Sequence, residues 1–227
     1  MSDPPPPGPA QFGNLEANLQ FIAATGVLRP GVRVLEIGTG TGTLLGRLRA
    51  QGYDVRGVER NPALIEEGRR WQPDLPVELV SGVTLPFADG TFDIVMSFDV
   101  FEHIPDSDSH LGEVRRVLRP DGSYLVQTPN KWMNSVFETI RWRSFTRWRV
   151  DHCSLHTLGD LRRRFATHGF RLQAYDIAVV NDFFREKVRR YAGWPGTAAL
   201  AIVNPDRLPL SWRTNLYVAA TRVEGGA

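Results

Sequence analysis

Val32-Arg33-Val34-Leu35-Glu36-Ile37 runs straight into Gly38-Thr39-Gly40-Thr41-Gly42, and this stretch decides the fold. The first part reads as a strand over Arg33 to Ile37. The second is a turn in which glycines let the backbone bend tightly and let a ligand approach the main chain. A helix expected from about Thr41 to Ala50 then points its free N–H groups at that ligand. A second apolar run, Asp54-Val55-Arg56-Gly57-Val58, ends in Glu59. An acid about 20 residues beyond such a turn, at the tip of the second strand, is placed to accept hydrogen bonds from ribose hydroxyls. The pattern therefore predicts a ligand with an adenosine-like half.

Strand and helix patterns alternate outward from this unit, which predicts an α/β fold with a doubly wound, mostly parallel sheet. An entry helix is expected from Gln11 to Thr25. Further strands are expected at Val77 to Val80, Phe92 to Phe98, Ser123 to Thr128 and Phe170 to Val180, and a last one at Asn215 to Ala220. Pro62 opens one helix, Ser107 another, and Thr157 with Asp160 reads as a capping pair opening a third. Asp93 reads as a structural residue at the start of its strand. The segments 130–153 and 181–211 fit no sheet element and read as lid insertions beside the site. Residues 1–10, with Pro4 to Pro7, read as a disordered tail ahead of one domain over 11–227.

Which adenosine ligand is meant follows from spacing. A dinucleotide fingerprint needs Gly-x-Gly-x-x-Gly, but its last position falls on Thr43. Glu36, two residues before the first glycine, repels a pyrophosphate and suits a cationic or zwitterionic ligand. S-adenosylmethionine, with its ammonium and sulfonium, fits. On Glu36-Ile37-Gly38-Thr39-Gly40-Thr41-Gly42 the chain resembles the Rossmann-like class I S-adenosylmethionine-dependent methyltransferases. Leu85-Pro86-Phe87-Ala88-Asp89-Gly90-Thr91-Phe92-Asp93, Glu102-His103-Ile104 and the helix ending before Arg119-Pro120-Asp121-Gly122 are similar to motifs of the ubiquinone/menaquinone-biosynthesis-like (methyltransferase type 11) members. The resemblance implies a sheet of seven strands with the last antiparallel. It also implies Gly38, Thr39, Gly40 and Phe98 at the methionine end, Glu59 with Arg60 at the ribose, and Gly82, Val83 and Thr84 at the adenine. An acid that many relatives carry after the third strand is absent from Ser81-Gly82-Val83.

Methyl transfer to a hydroxyl needs a base, and histidine suits neutral pH. His152 and His103 are the candidates. His152 lies in a pattern similar to the family's His-x-x-x-Phe-Thr-x-x-x-Leu stretch, where Asp151 either orients it or is exposed. Asp99, Glu102 and His103 together resemble a metal cluster of some quinone O-methyltransferases, but no metal is expected. Trp132, Trp142, Arg143 and Trp148 in the first insertion are read as acceptor-binding residues for a flat or anionic small molecule, against the alternative of a lid packed on the core. Phe183-Phe184 with Arg185, Lys187, Arg189 and Arg190 is read as a second lid helix or a peripheral membrane contact.

Bulk properties bound the rest. The chain has 227 residues, a net charge of +2, 42% hydrophobic and 23% charged residues, ordinary values for one globular domain. Its one cysteine, Cys153, precludes an intrachain disulfide framework and fits a reducing, cytoplasmic setting. No run of about 18 apolar residues occurs, so no spanning helix is expected, and the N-terminus lacks the regions of a secretory signal. Asp/Asn-Pro-Pro-Tyr after the fourth strand and a Pro-Cys nucleophile, marks of two DNA-methylating types, are both absent. Nucleic acid is therefore disfavoured as partner, with RNA or another macromolecule, and a non-catalytic S-adenosylmethionine-binding module, kept as alternatives.

Overall fold

The computed structural model describes residues 13–142 and 153–223. Seven strands form one sheet: β1 Arg33–Ile37, β2 Asp54–Glu59, β3 Val77–Leu79, β4 Phe92–Phe98, β5 Leu118–Pro129, β6 Phe170–Tyr175 and β7 Asn215–Arg222. Their spatial order is β3-β2-β1-β4-β5-β7-β6. β1 is parallel to β2 and β4, while β7 runs antiparallel to both β5 and β6. The strand order reverses between β1 and β4 relative to the chain, and a sheet of this kind places ligands beyond the carboxyl ends of its strands at that point.

The helices are α1 Leu15–Thr25, α2 Thr43–Ala50, α3 Pro62–Trp71, α4 Ser107–Val117, α5 Lys131–Trp142, α6 Leu158–Thr167 and α7 Asp182–Ile202. Because side chains alternate across a strand, the sheet carries two cores. Val34, Met96 and Leu125 face α1 and α2, with Phe21 packed edge-on against Phe98, Tyr175 and Tyr217. Leu35, Val95 and Val126 face α4 and α6, with Leu111, Val114 and Phe165. Asp93 is structural, as its position implied. It accepts the Arg33 amide at 2.8 Å and Arg119 Nη1 at 2.8 Å, which joins the starts of β1, β4 and β5.

Several element ends differ from expectation, among them the start of α1 at Leu15 and the end of β7 at Arg222. α2 begins at Thr43 because Gly42 is left-handed at its N-cap (φ 74°). β6 stops at Tyr175 instead of Val180. Beyond it Asp176 turns to Arg213 at 2.6 Å, and the amides of Val179 and Val180 bond Asp206 at 3.0 and 2.9 Å instead of a neighbouring strand. β3 ends at Leu79, and β5 reaches back to Leu118 and on to Pro129. Among the described residues, the first insertion forms α5 and the second forms α7 over most of its length. The expected tail, and the expected site residues Arg143, Trp148 and His152 with Asp151, lie outside the described residues. Among the described residues no helix is long and apolar enough to cross a membrane.

Candidate functional site

A cavity of about 450 Å³ opens where the β1, β2 and β4 tips meet. Its floor is the glycine loop. Gly38 is left-handed (φ 73°), and an added Cβ would lie 2.4 Å from Val100 Cγ2, so only glycine fits between loop and β4 tip. The Gly38 and Thr39 amides both donate to Val58 O, at 2.8 and 3.2 Å, which ties the loop onto β2. Beneath it, Gly57 leaves space that Thr39 fills: a Cβ on Gly57 would come within 2.5 Å of Thr39 Cγ2. Gly57 was not singled out in the sequence, although a glycine within an apolar strand is itself a sign of close approach.

Glu59 is buried, and its carboxylate is largely engaged. Oε1 accepts the Arg60 and Asn61 amides at 2.9 Å each, and Oε2 accepts the Gly40 amide at 2.9 Å. An ionised carboxylate offers about four acceptor positions. Oε1 is therefore full, and Oε2 keeps one position toward the cavity, enough for one ligand hydroxyl.

Glu36 is buried at the same floor, and its Oε2 has no hydrogen-bond partner among the described residues. Burial pushes its pKa up to about 8, and the Glu59 charge adds to this while a bond from the Leu45 main chain opposes it. Thr39 Oγ1 is likewise buried without a partner. A buried polar atom left unpaired costs free energy comparable to a lost hydrogen bond. Two of them on one cavity floor call for a ligand that brings donors, and an ammonium meets that need at Glu36. The residues present thus fit the methionine end of S-adenosylmethionine.

The cavity brings together Glu36, Gly38, Thr39, Gly40, Glu59, Arg60, Gly82, Val83, Phe98 and His103. Thr84, expected with them, is exposed and does not line the wall. The cause is the neighbouring residue: Leu85 turns inward, its amide held by Glu113 Oε2 at 2.9 Å and its carbonyl by Arg116 at 2.9 Å, which leaves Thr84 on the outer side. Val80 and Leu85 take up that part of the wall as apolar surface. Trp132 is 58% exposed and faces a separate groove of about 490 Å³ with Lys131 and Trp212 rather than the cavity. Trp142 ends α5, and its side chain lies outside the described set.

Above the floor, the β4 tip contributes Asp99 and His103 to the wall, with Glu102 buried outside the cavity lining. Asp99 is left-handed at φ 55° and is clamped by Gln127 from β5, whose Oε1 accepts the Asp99 amide at 2.8 Å and whose Nε2 donates to Asp99 Oδ1 at 3.0 Å. Glu102 is fully buried and accepts Thr128 Oγ1 at 3.1 Å. Burial first, and the Asp99 charge second, raise its pKa. His103 Nε2 lies 3.9 Å from Glu102 Oε1, with its ring partly exposed to the cavity. His110, not considered in the sequence, also reaches the cavity wall. It bonds Tyr124 OH at 2.8 Å, which in turn bonds Ser97 Oγ at 2.7 Å, and burial lowers its pKa to about 4. His110 is thus a neutral core histidine at pH 7, whereas His103 is the accessible one. Among the described residues no group of three His, Cys, Asp or Glu side chains is arranged to hold a metal ion.

Residues 10–175 match the model of the methyltransferase domain family. Among curated proteins the chain is similar to a demethylmenaquinone methyltransferase of Beutenbergia cavernae, 29% identical over 181 residues that make up 76% of this chain. The match spans 64% of that relative's length. Among solved structures, an S-adenosylmethionine-dependent methyltransferase of Mesorhizobium loti shares the fold with a TM-score of 0.63 and 17% identity, over 92% of this chain and all of that one. So does the phosphoethanolamine N-methyltransferase 2 of Haemonchus contortus, solved with S-adenosyl-L-methionine, with a TM-score of 0.63 and 18% identity, over 96% of this chain and 54% of that one.

Proposed function

Because the chain belongs to the methyltransferase domain family, with its Rossmann-like class I fold, we propose that it is an S-adenosylmethionine-dependent enzyme that methylates a small molecule at oxygen. The observation that carries this reading is the pair of unpartnered buried acceptors, Glu36 Oε2 and Thr39 Oγ1, on the floor of a cavity closed by Glu59. Glu36 and Thr39 would hold the methionine end, the open position on Glu59 Oε2 one ribose hydroxyl, and Val80, Gly82, Val83 and Leu85 the flat apolar base. When bound, the sulfonium supplies an activated methyl group. The protein's own task is to hold an acceptor in line with it and to take a proton.

His103 is the base in this reading, and Glu102 orients it from below. Histidine can carry the proton near neutral pH, and the buried Glu102 carboxyl lies 3.9 Å from its Nε2. Asp99 places carboxylate oxygens on this wall, so an acceptor that presents hydroxyl donors is matched better than one that presents a carboxylate toward it. His152 remains the competing base from the first insertion.

Isothermal calorimetry with S-adenosylhomocysteine tests the first half of the proposal. Stoichiometric binding that Glu36→Ala or Thr39→Val weakens supports it. Absence of binding, or binding indifferent to both substitutions, overturns it. Incubation with labelled S-adenosylmethionine and a metabolite extract, followed by identification of the labelled product, tests the second half.

A further inference from the structure

We propose that α7 docks this protein on an anionic lipid bilayer through its exposed face. α7 is a 21-residue helix in which only Val188 is buried. Its first half is fastened to the protein. Asn181 caps it and exchanges side-chain hydrogen bonds with Asn14 at 2.7 and 3.2 Å, and Phe184 packs against the core on the α1 side. Left-handed Gly193 (φ 61°) and Pro195 then break the helix, and the second half is presented outward.

That second half is inverted relative to an ordinary surface helix. Amphipathic helices turn apolar residues at i, i+4, i+7 and i+8 toward the protein. Here Trp194, Ala198, Ala201 and Ile202 occupy those positions, and all four face solvent. Trp194 is 81% exposed and Ile202 85%. Single exposed apolar side chains are commonplace, but a face of them rimmed by charge marks an interaction surface.

The charge pattern selects the partner. Arg185, Lys187, Arg189 and Arg190 precede the apolar face, and no Asp or Glu occurs between Glu186 and Asp206. All four cations are exposed; Arg189 lies 2.7 Å from the less exposed Glu186, and Lys187 also acts electrostatically on the buried Glu102. A basic turn followed by an uncharged, Trp-bearing helix is the composition of an interfacial membrane helix, with cations at the headgroups and apolar side chains at the acyl boundary. A two-fold pairing with a second copy would apply the same patch twice and bring the two basic runs together, which a negatively charged bilayer does not do. α7 starts beside α1, whose Leu15 and Asn18 line the cavity, so docking would bring the site close to amphipathic acceptors.

The test is co-sedimentation of the full chain with vesicles of phosphatidylcholine alone and of phosphatidylcholine mixed with phosphatidylglycerol. The expected result is binding to the mixed vesicles only, weakened by salt. Replacing Arg189 and Arg190 by Gln should reduce partitioning about fivefold per charge removed, and Trp194→Ser with Ile202→Ser should abolish it. All these side chains are exposed, and unchanged S-adenosylhomocysteine affinity checks that the variants remain folded. Failure to sediment with either vesicle overturns the proposal. So does sedimentation unchanged by the substitutions, or a dimer in analytical ultracentrifugation that Trp194→Ser and Ile202→Ser convert to monomer.

Discussion

Gly40 donates its amide to Glu59 Oε2 at 2.9 Å, so the acid at the β2 tip holds the loop after β1. With the Arg60 and Asn61 amides on Oε1, one side chain fixes two loops that form the cavity floor. Removing it does more than delete a ligand contact. Glu59→Ala leaves three main-chain donors without a partner, each hydrogen bond to a charged group contributing about 1.5–3 kcal/mol. The expected outcome is a loss of at least tenfold in S-adenosylhomocysteine affinity together with a lower denaturation midpoint. Glu59→Gln, which keeps one acceptor oxygen, should fall between. Calorimetry and urea denaturation on the same preparations check both.

Glu36 makes stability and binding depend on pH. Its pKa is about 8 in the folded protein against 4.5 ordinarily. Between those values the folded state binds a proton that the unfolded state has lost. Its contribution is therefore fully present below the lower value, declines as pH rises, and is gone above the upper one. The slope in that window is about 1.4 kcal/mol per pH unit for one proton. Glu36→Gln should flatten the corresponding part of a plot of unfolding free energy against pH. An ammonium placed beside Glu36 favours its ionised form, so binding of S-adenosylmethionine at pH 7 should release a proton. Calorimetry in buffers of different ionisation enthalpy reads this directly; a binding enthalpy independent of buffer would contradict it.

The floor of the site was legible in the chain because its determinants are local. Strand pattern, glycine turn and the acid of the second strand all lie within Arg33 to Glu59, and each follows from backbone sterics or hydrogen-bond capacity. The wall at the β4 tip was less legible. Asp99 is held left-handed by Gln127, 28 residues on in a neighbouring strand, and nothing local to Asp99 announces that. Thr84 falls outside the cavity lining because Glu113 and Arg116, on α4, hold Leu85 inward in the loop after β3. The insertions were legible in composition only: alternating aromatic and basic residues suit a lid helix, a pocket wall or a membrane surface equally well.

Gly57 carries a test of how tightly the floor is packed. A Cβ there meets Thr39 Cγ2 at 2.5 Å, Leu45 Cδ2 at 2.9 Å and Val77 Cγ2 at 3.1 Å. Overpacking of this kind costs about 1–3 kcal/mol. Gly57→Ala should therefore lower stability by that amount, and it should weaken S-adenosylhomocysteine binding because Thr39 must shift. Gly112, in α4, has open space where a Cβ would go. Gly112→Ala should instead add about 0.5–1 kcal/mol through helix propensity alone, with binding unchanged. The pair, followed by denaturation and calorimetry, separates the loss of space from the loss of glycine.

His103 and Glu102 should separate chemistry from binding. A positioned base contributes about 10²- to 10⁴-fold to a proton-transfer step. His103→Asn should lower kcat by that order with any acceptor identified, while S-adenosylhomocysteine affinity stays within a factor of two or so of the parent, since Glu36, Thr39 and Glu59 are the residues proposed to hold it. Glu102→Gln keeps the size of the side chain 3.9 Å from His103 Nε2 and leaves the Thr128 hydrogen bond available, so it should lower kcat less than His103→Asn does. If His103→Asn keeps full turnover, the base lies elsewhere and His152→Asn becomes the deciding variant. If Glu102→Gln lowers kcat as far as His103→Asn does, the Glu102 carboxyl itself is needed beside the histidine.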